Sequence, residues 1–436
     1  MNRFLRIVLL GGALLLVIYT GLFANYLHAG GEPLFRAKII WIGLAGSVFF
    51  AVAGWRFSLQ SKFKVFAALL SLFVVEILLQ ATAWMGILPA VNTAQRVPFA
   101  RVYWTSEGLG NGIRNRFGWY YPPFDLKASR KIAFIGNSQV EGLEVSPAQN
   151  QAADFQKLLK EKSPDWSVLG LGNHGSCPAH AMDVLEYAWR HFQVREAILV
   201  VSMGNDVAAA SPRLHPVPPD QYIYYDLDAG GNLVLNPASA IGRMRFDQGL
   251  ESNHRSLLFN LPFILYSHCM ILQVADSVRE DIEVRRRQAE LVARRGGALA
   301  NGFNPAPFAV NPSPDAQMAM KILLAQLQQC KNVCDSHGMK FHLVTLPAFP
   351  KIFYDTQHGR DWTMHIGGYD YAGPEREIVD WANANKIPIV SISETIRQKK
   401  LDVDEIRSLY FLDGTGHLTV KGHAFCAQAI YEKFYQ

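Results

Sequence analysis

Residues 131–142 read KIAFIGNSQVEG, an apolar run that ends at Gly136 and passes through Asn137 and Ser138 into polar residues. The run is the length of a buried strand. The stretch after it, PAQNQAADFQKLLKEK, opens on Pro147 and carries apolar residues at helical spacing. Taken alone, Ser138 after a strand reads more often as a turn or cap residue than as a nucleophile. Reading outward, DWSVLGLG (165–172) is a second strand followed by a helix over HAMDVLEYAWRHF, and EAILVVSMG (196–204) is a third. Further on, KFHLVTLP (340–347) and KIPIVSIS (386–393) each follow an amphipathic helix. Five buried strands separated by helices predict an α/β domain with a parallel sheet covered on both faces.

The segment before this domain has a different character. FLRIVLLGGALLLVIYTGLFANYL, AKIIWIGLAGSVFFAVAGW and FKVFAALLSLFVVEILLQATAWMGIL each approach the roughly 20 apolar residues that cross a bilayer. They predict three transmembrane helices near 5–26, 37–55 and 65–89. The first apolar run is longer than that of a signal peptide. Arg3 and Arg6 precede it, and Arg56, Lys62 and Lys64 sit between the second and third. Positive charge stays on the cytoplasmic side, which places the chain in the inner (cytoplasmic) membrane, with the N-terminus inside and everything after about residue 90 outside. Glu76, within the third span, is expected to face a neighbouring helix.

The predicted organisation is therefore a membrane anchor over 1–90, an extended lead-in over 91–130 and the sheet domain over 131–436, with an insertion at about 207–315. In the lead-in, the aromatics of WYYPPF are expected to pack against the domain. The insertion contains YIYYDLDAGGNLVLNP, which reads as a β-hairpin. After it comes a long helix or two, apolar first and charged later, expected to cap the site or rest on the bilayer. Net charge is +5, from 42 basic and 37 acidic side chains, with no basic block of the kind nucleic-acid binders carry. The five cysteines fit neither a disulfide scaffold nor a zinc knuckle. Cys330 and Cys334, expected on one helix face, read as two buried thiols rather than the alternative of a strained local pair, and no metal or cofactor is expected.

Ligands of a parallel sheet bind beyond the carboxyl ends of its strands. The strands deliver Ser138, then Asn173, His174 and Gly175, then Asn205 and Asp206, and the C-terminal loop FLDGTGHLTVKGH adds Asp413 and His417. This constellation resembles the SGNH hydrolase family of GDSL-like esterases and lipases, over roughly 130–436 and with its four blocks in order. The resemblance implies a flavodoxin-like sheet and catalysis by Ser138 as nucleophile and His417 as base, with Asp413 as the triad acid. Ser138, Gly175 and Asn205 are then the oxyanion-hole donors. His174 lies on the same rim and reads equally as a substrate contact and as a surface-loop histidine. Two positions depart from the family pattern: Asn137 stands where an aspartate is usual, and Asp413 precedes His417 by four residues rather than three. His423 is expected to play a structural part.

The implied function is a membrane-anchored, extracytoplasmic serine esterase acting on acyl esters of an envelope polysaccharide, glycolipid or lipid. Two alternatives stay open: an O-acyltransferase using the same site with other envelope-biosynthesis proteins, and a non-catalytic binding or assembly protein.

Overall fold

The computed structural model of the protein describes residues 1–29, 33–87, 96–105, 107–215, 217–252, 254, 257–278, 304–348, 365–366, 368–411 and 416–436; for 22–29, 33–40, 42, 365 and 366 it describes the backbone alone. Three helices come first: α1 (Asn2–Ala29), α2 (Pro33–Arg56) and α3 (Leu59–Trp84). Ser58 starts α3 by accepting the Ser61 N–H at 3.2 Å.

Among the described residues, two helical stretches are long and apolar enough to cross a membrane, Asn2–Gly21 and Leu59–Trp84. They answer to the first and third expected spans. The second falls in α2, which packs along α1 and part of whose side chains lie outside the described residues. A bent pair, α9 (Leu257–His268) and α10 (Met270–Val278), passes the same test if its two halves count as one element.

The lead-in, expected to be extended, contains an antiparallel pair, β1 (Arg101–Trp104) and β2 (Gly110–Ile113). It is too short to show a strand period. Trp119, Tyr120 and Tyr121 of WYYPPF are buried, so these rings pack against the domain as expected.

The main sheet holds β3 (Arg130–Gly136), β4 (Trp166–Gly172), β5 (Glu196–Ser202), β8 (Lys340–Leu346) and β9 (Ile389–Ser391). All neighbours are parallel, in the order β9-β8-β5-β3-β4. Helices fill the connections: the short α4 (Ser138–Glu141) and α5 (Gln151–Lys162) after β3, α6 (Pro178–Phe192) after β4, α11 (Pro314–Ser336) before β8 and α12 (Gly373–Ala384) before β9. The chain moves outward from β3 to β4 and then back across β3 to β5. Right-handed crossovers therefore put α5 and α6 on opposite faces of the sheet. The last helix, α13 (Val420–Phe434), packs with α5, and α11 packs with α6.

Ile132, Phe134, Leu169, Ile198 and Val344 are fully buried between the layers, each contributing about 1.5–3 kcal/mol by burial. Cys330 and Cys334 on α11 are buried free thiols, and none of the five cysteines is in a disulfide. The insertion opens with α7 (Asp206–Ala209). It continues through the expected hairpin, β6 (Tyr225–Leu227) paired with β7 (Leu233–Leu235), and then α8 (Ala240–Ser252).

Candidate active site

The chain order reverses at β3, which lies between β4 and β5, and such a reversal opens a crevice at the strands' carboxyl ends. Ser138 follows β3 there as the first residue of α4. Asn137 takes the capping role, its side-chain oxygen accepting the Gln139 N–H at 3.0 Å. Relieved of that duty, the Ser138 hydroxyl lies 2.9 Å from His417 Nε2. Both residues are buried, at 5% and 7% exposure.

Gln139 fixes the loop that brings His417. Its amide donates to the Gly416 carbonyl at 3.2 Å, and its oxygen accepts the Leu418 N–H at 3.3 Å. The two bonds flank the histidine, so the serine's neighbour sets the position of its partner.

The other ring nitrogen of His417 faces two carboxylates. Glu107 Oε2 lies 2.7 Å from Nδ1 and accepts the His417 backbone N–H at 3.4 Å, while Glu144 Oε1 lies 3.1 Å from Nδ1. With Nδ1–H donating to this pair, Nε2 is left as the basic nitrogen facing Ser138. The expected acid, Asp413, lies outside the described residues.

Glu107 sits in the turn between β1 and β2, where two glycines are required. Gly108 has φ +65°, and a Cβ on Gly110 would stand 1.6 Å from the Leu143 carbonyl oxygen. The hairpin can approach Glu144 only because those side chains are missing.

Burial opposes the charged imidazolium, but Glu144 and Glu107 outweigh it and hold His417 above its ordinary value. Burial pushes Glu144 up to about 7 despite the neighbouring ring. A base must be neutral to take a proton. Activity is therefore expected to fall as pH drops through a point above 6.5, and Glu107→Gln, which removes one raising influence, is expected to move that limb of the kcat/KM profile to lower pH. A limb unmoved by the substitution would separate Glu107 from the base.

The loop after β4 carries Gly175 at φ +70°, with open space where a Cβ would be. Glu141 holds this loop by accepting the His174 N–H at 2.8 Å, and is itself paired with the fully buried Arg114 at 2.8 Å. The His174 ring is exposed, with its centroid 5.9 Å from that of Trp104.

Asn205 is exposed at the end of β5, and its side chain does not cap α7. Asp206 turns inward to accept the Ser202 N–H at 2.8 Å and the Asn137 amide at 3.2 Å. Burial raises its carboxyl to about 7. Asn137, in the place of the usual aspartate, thus ties β3 to β5. His423 is structural: it is buried in α13, accepts the Gln151 N–H at 3.2 Å, and is held down to about 3 by burial.

Ser138 and His417 are in direct contact, and Gly175 and Asn205 stand at the two strand ends flanking Ser138. Sequence reasoning missed Glu107, Glu144 and Gln139. Glu144 lies six residues after the serine, in EGLEV, and Glu107 lies in the glycine-rich EGLGNG; an acid just ahead of a glycine-rich turn in the lead-in was the available signal. Ligand atoms of Glu107, Glu144 and His417 lie within 4.8 Å of one another. The separations of 2.7 and 3.1 Å from Nδ1 are those of hydrogen bonds.

No family model and no curated protein matches the chain. A crystal structure with 12% identity aligns over 70% of this chain and 96% of its own length at a TM-score of 0.34, too low to assign a fold.

Proposed function

We propose that the chain is a membrane-anchored serine acyl-ester enzyme of the SGNH type. Ser138 is its nucleophile, His417 its general base and acid, and Glu107 the carboxylate that orients the imidazole. The observation that carries this reading is the continuous line of contacts from Ser138 Oγ to His417 Nε2 at 2.9 Å and from Nδ1 to Glu107 at 2.7 Å. A serine hydroxyl is a weak nucleophile at neutral pH, and an imidazole fixed in one tautomer by a carboxylate is what activates it. The strand order, second-first-third-fourth-fifth along the chain, supports the flavodoxin-like arrangement of that family.

Ser138 Oγ attacks the ester carbonyl carbon as its proton passes to His417 Nε2. The negative charge that develops on the carbonyl oxygen is met by the N–H groups of Ser138 and Gly175 and by the Asn205 amide, each such donor typically worth about 3 kcal/mol of barrier. Collapse breaks the bond to the leaving alkoxide, which takes the proton from Nε2 and departs, leaving an acyl-serine. A water or acceptor hydroxyl, deprotonated by His417, then attacks that acyl group, and the proton returns to Ser138.

A second reading of the same site is transfer of the acyl group, with an acceptor hydroxyl taking the place of water in the second half of the reaction. The substrates that fit are acyl esters of an envelope carbohydrate or lipid, with the domain outside the cytoplasmic membrane.

A fluorophosphonate probe tests the nucleophile. The full-length protein should be labelled and Ser138→Ala should not; an unlabelled wild type, with the fold intact by circular dichroism, leaves a non-catalytic binding protein. Acetate release compared with acetyl transfer to an oligosaccharide then separates hydrolysis from transfer.

A further inference from the structure

The bent pair α9–α10 takes no part in the chemistry above. Its halves meet at 74° around Cys269, and Leu257, Leu258, Leu265, Leu272 and Val278 are exposed along it. It lies against the anchor: α9 packs along α1, where the Tyr19 hydroxyl donates to the Pro262 carbonyl at 3.1 Å.

At the bend, Glu76 of α3 accepts the N–H groups of Met270 and Ile271, at 2.8 and 2.9 Å, and the Gln80 amide donates to the His268 carbonyl at 2.7 Å. Backbone groups opened by a break in water are hydrated without further help. In hydrocarbon they must find protein partners, and these come from a candidate span. Glu76, a costly residue in an apolar helix, acquires a role on the same terms.

The pair is also joined to the site. The Arg101 N–H donates to Ser267 Oγ at 3.1 Å, the Arg101 guanidinium bonds Gln80, and Tyr103 is buried against Ala83 of α3 and Met270 of α10. Glu107 lies four residues after Tyr103, at most about 14 Å of extended chain. Adding the side chains of Tyr103 and Glu107 and the contacts through His417 puts Ser138 at most roughly 40 Å from the end of α3. That end carries the exposed Trp84, a residue typical of the lipid–water boundary.

We infer that α9 and α10 form a re-entrant element inserted in a phospholipid bilayer beside α1 and α3, and that the site takes its acyl ester from a lipid-anchored molecule at that surface. The second half rests on the acyl-ester reading above. Substrates held in the bilayer meet the serine at a raised local concentration, without leaving the membrane.

The test uses the full chain in liposomes doped with a phospholipid carrying a diazirine in its acyl tail, with adducts mapped by mass spectrometry after illumination. Adducts on 257–278 as well as on α1 and α3 are the expected result; adducts on α1 and α3 with none on 257–278 would overturn the insertion. In the same liposomes, a fluorogenic ester on a lipid anchor should turn over at least about tenfold faster than its water-soluble counterpart at equal bulk concentration. Equal rates refute the lipid-borne source. Turnover of neither ester sinks the acyl-ester reading and leaves the crosslinking result standing.

Discussion

Glu107→Gln is expected to lower kcat for ester turnover by about 10⁴-fold, the loss that follows when a triad carboxylate becomes an amide and the imidazole takes the wrong tautomer. Gln keeps the size and the acceptor oxygen of Glu107 but adds a donor. Nδ1 then tends to become the acceptor and Nε2 the protonated nitrogen, which cannot take the Ser138 proton. Asp413→Asn, by contrast, is expected to change kcat by less than about tenfold, because Glu107 and Glu144 already occupy Nδ1. Steady-state kinetics on p-nitrophenyl acetate with both variants decides the assignment. The reverse ranking would return the acid to Asp413 and reduce Glu107 to a packing residue.

Arg114→Met is expected to cost about 3–5 kcal/mol of stability, because it leaves Glu141 buried without its cation. Both side chains are essentially inaccessible, at 0% and 1% exposure, so solvent cannot take over the pairing. For a domain of this size the melting temperature should fall by roughly 10 °C, measurable by differential scanning fluorimetry. The double variant Arg114→Met with Glu141→Leu should regain most of that loss, as apolar replacement of a buried ion pair commonly does. Activity should not return with it, because Glu141 also holds the His174 N–H and with it the loop bearing Gly175. A double variant that recovers both stability and turnover would show that the loop needs no such support.

The site was legible in the sequence where function is tied to a strand end. Ser138, Gly175 and Asn205 each close an apolar run, and the period of burial marks where such runs stop. His417 was legible because it sits just ahead of the last helix. The acid was not, since a carboxylate reaches an imidazole through space and no spacing rule links residue 107 to residue 417. Asn137 is a second case: the resemblance to SGNH hydrolases would put an aspartate there, whereas its contacts make it a cap for α4 and a tie to Asp206.

The insertion shows the same limit in the membrane part. Its apolar stretch is expected to cap the site or rest on the bilayer, and Asn260, Pro262 and His268 interrupt it. The tertiary structure bends it at Cys269, and Glu76 meets the amides that the break sets free. Glu76 had been expected to face a neighbouring helix, and the neighbour lies almost two hundred residues further on.

By itself, the sequence determined an apolar anchor ahead of an alternating α/β domain, and four rim segments carrying Ser138, Gly175, Asn205 and His417. These follow from local periodicity and from the polarity a bilayer or a sheet interior will accept. Only the tertiary structure decided that a hairpin rooted at the anchor carries Glu107 to His417, and that Arg114 and Glu141 brace the loop beside it. Those are contacts between distant parts of the chain, fixed by which glycines allow close approach and by which buried charges must meet.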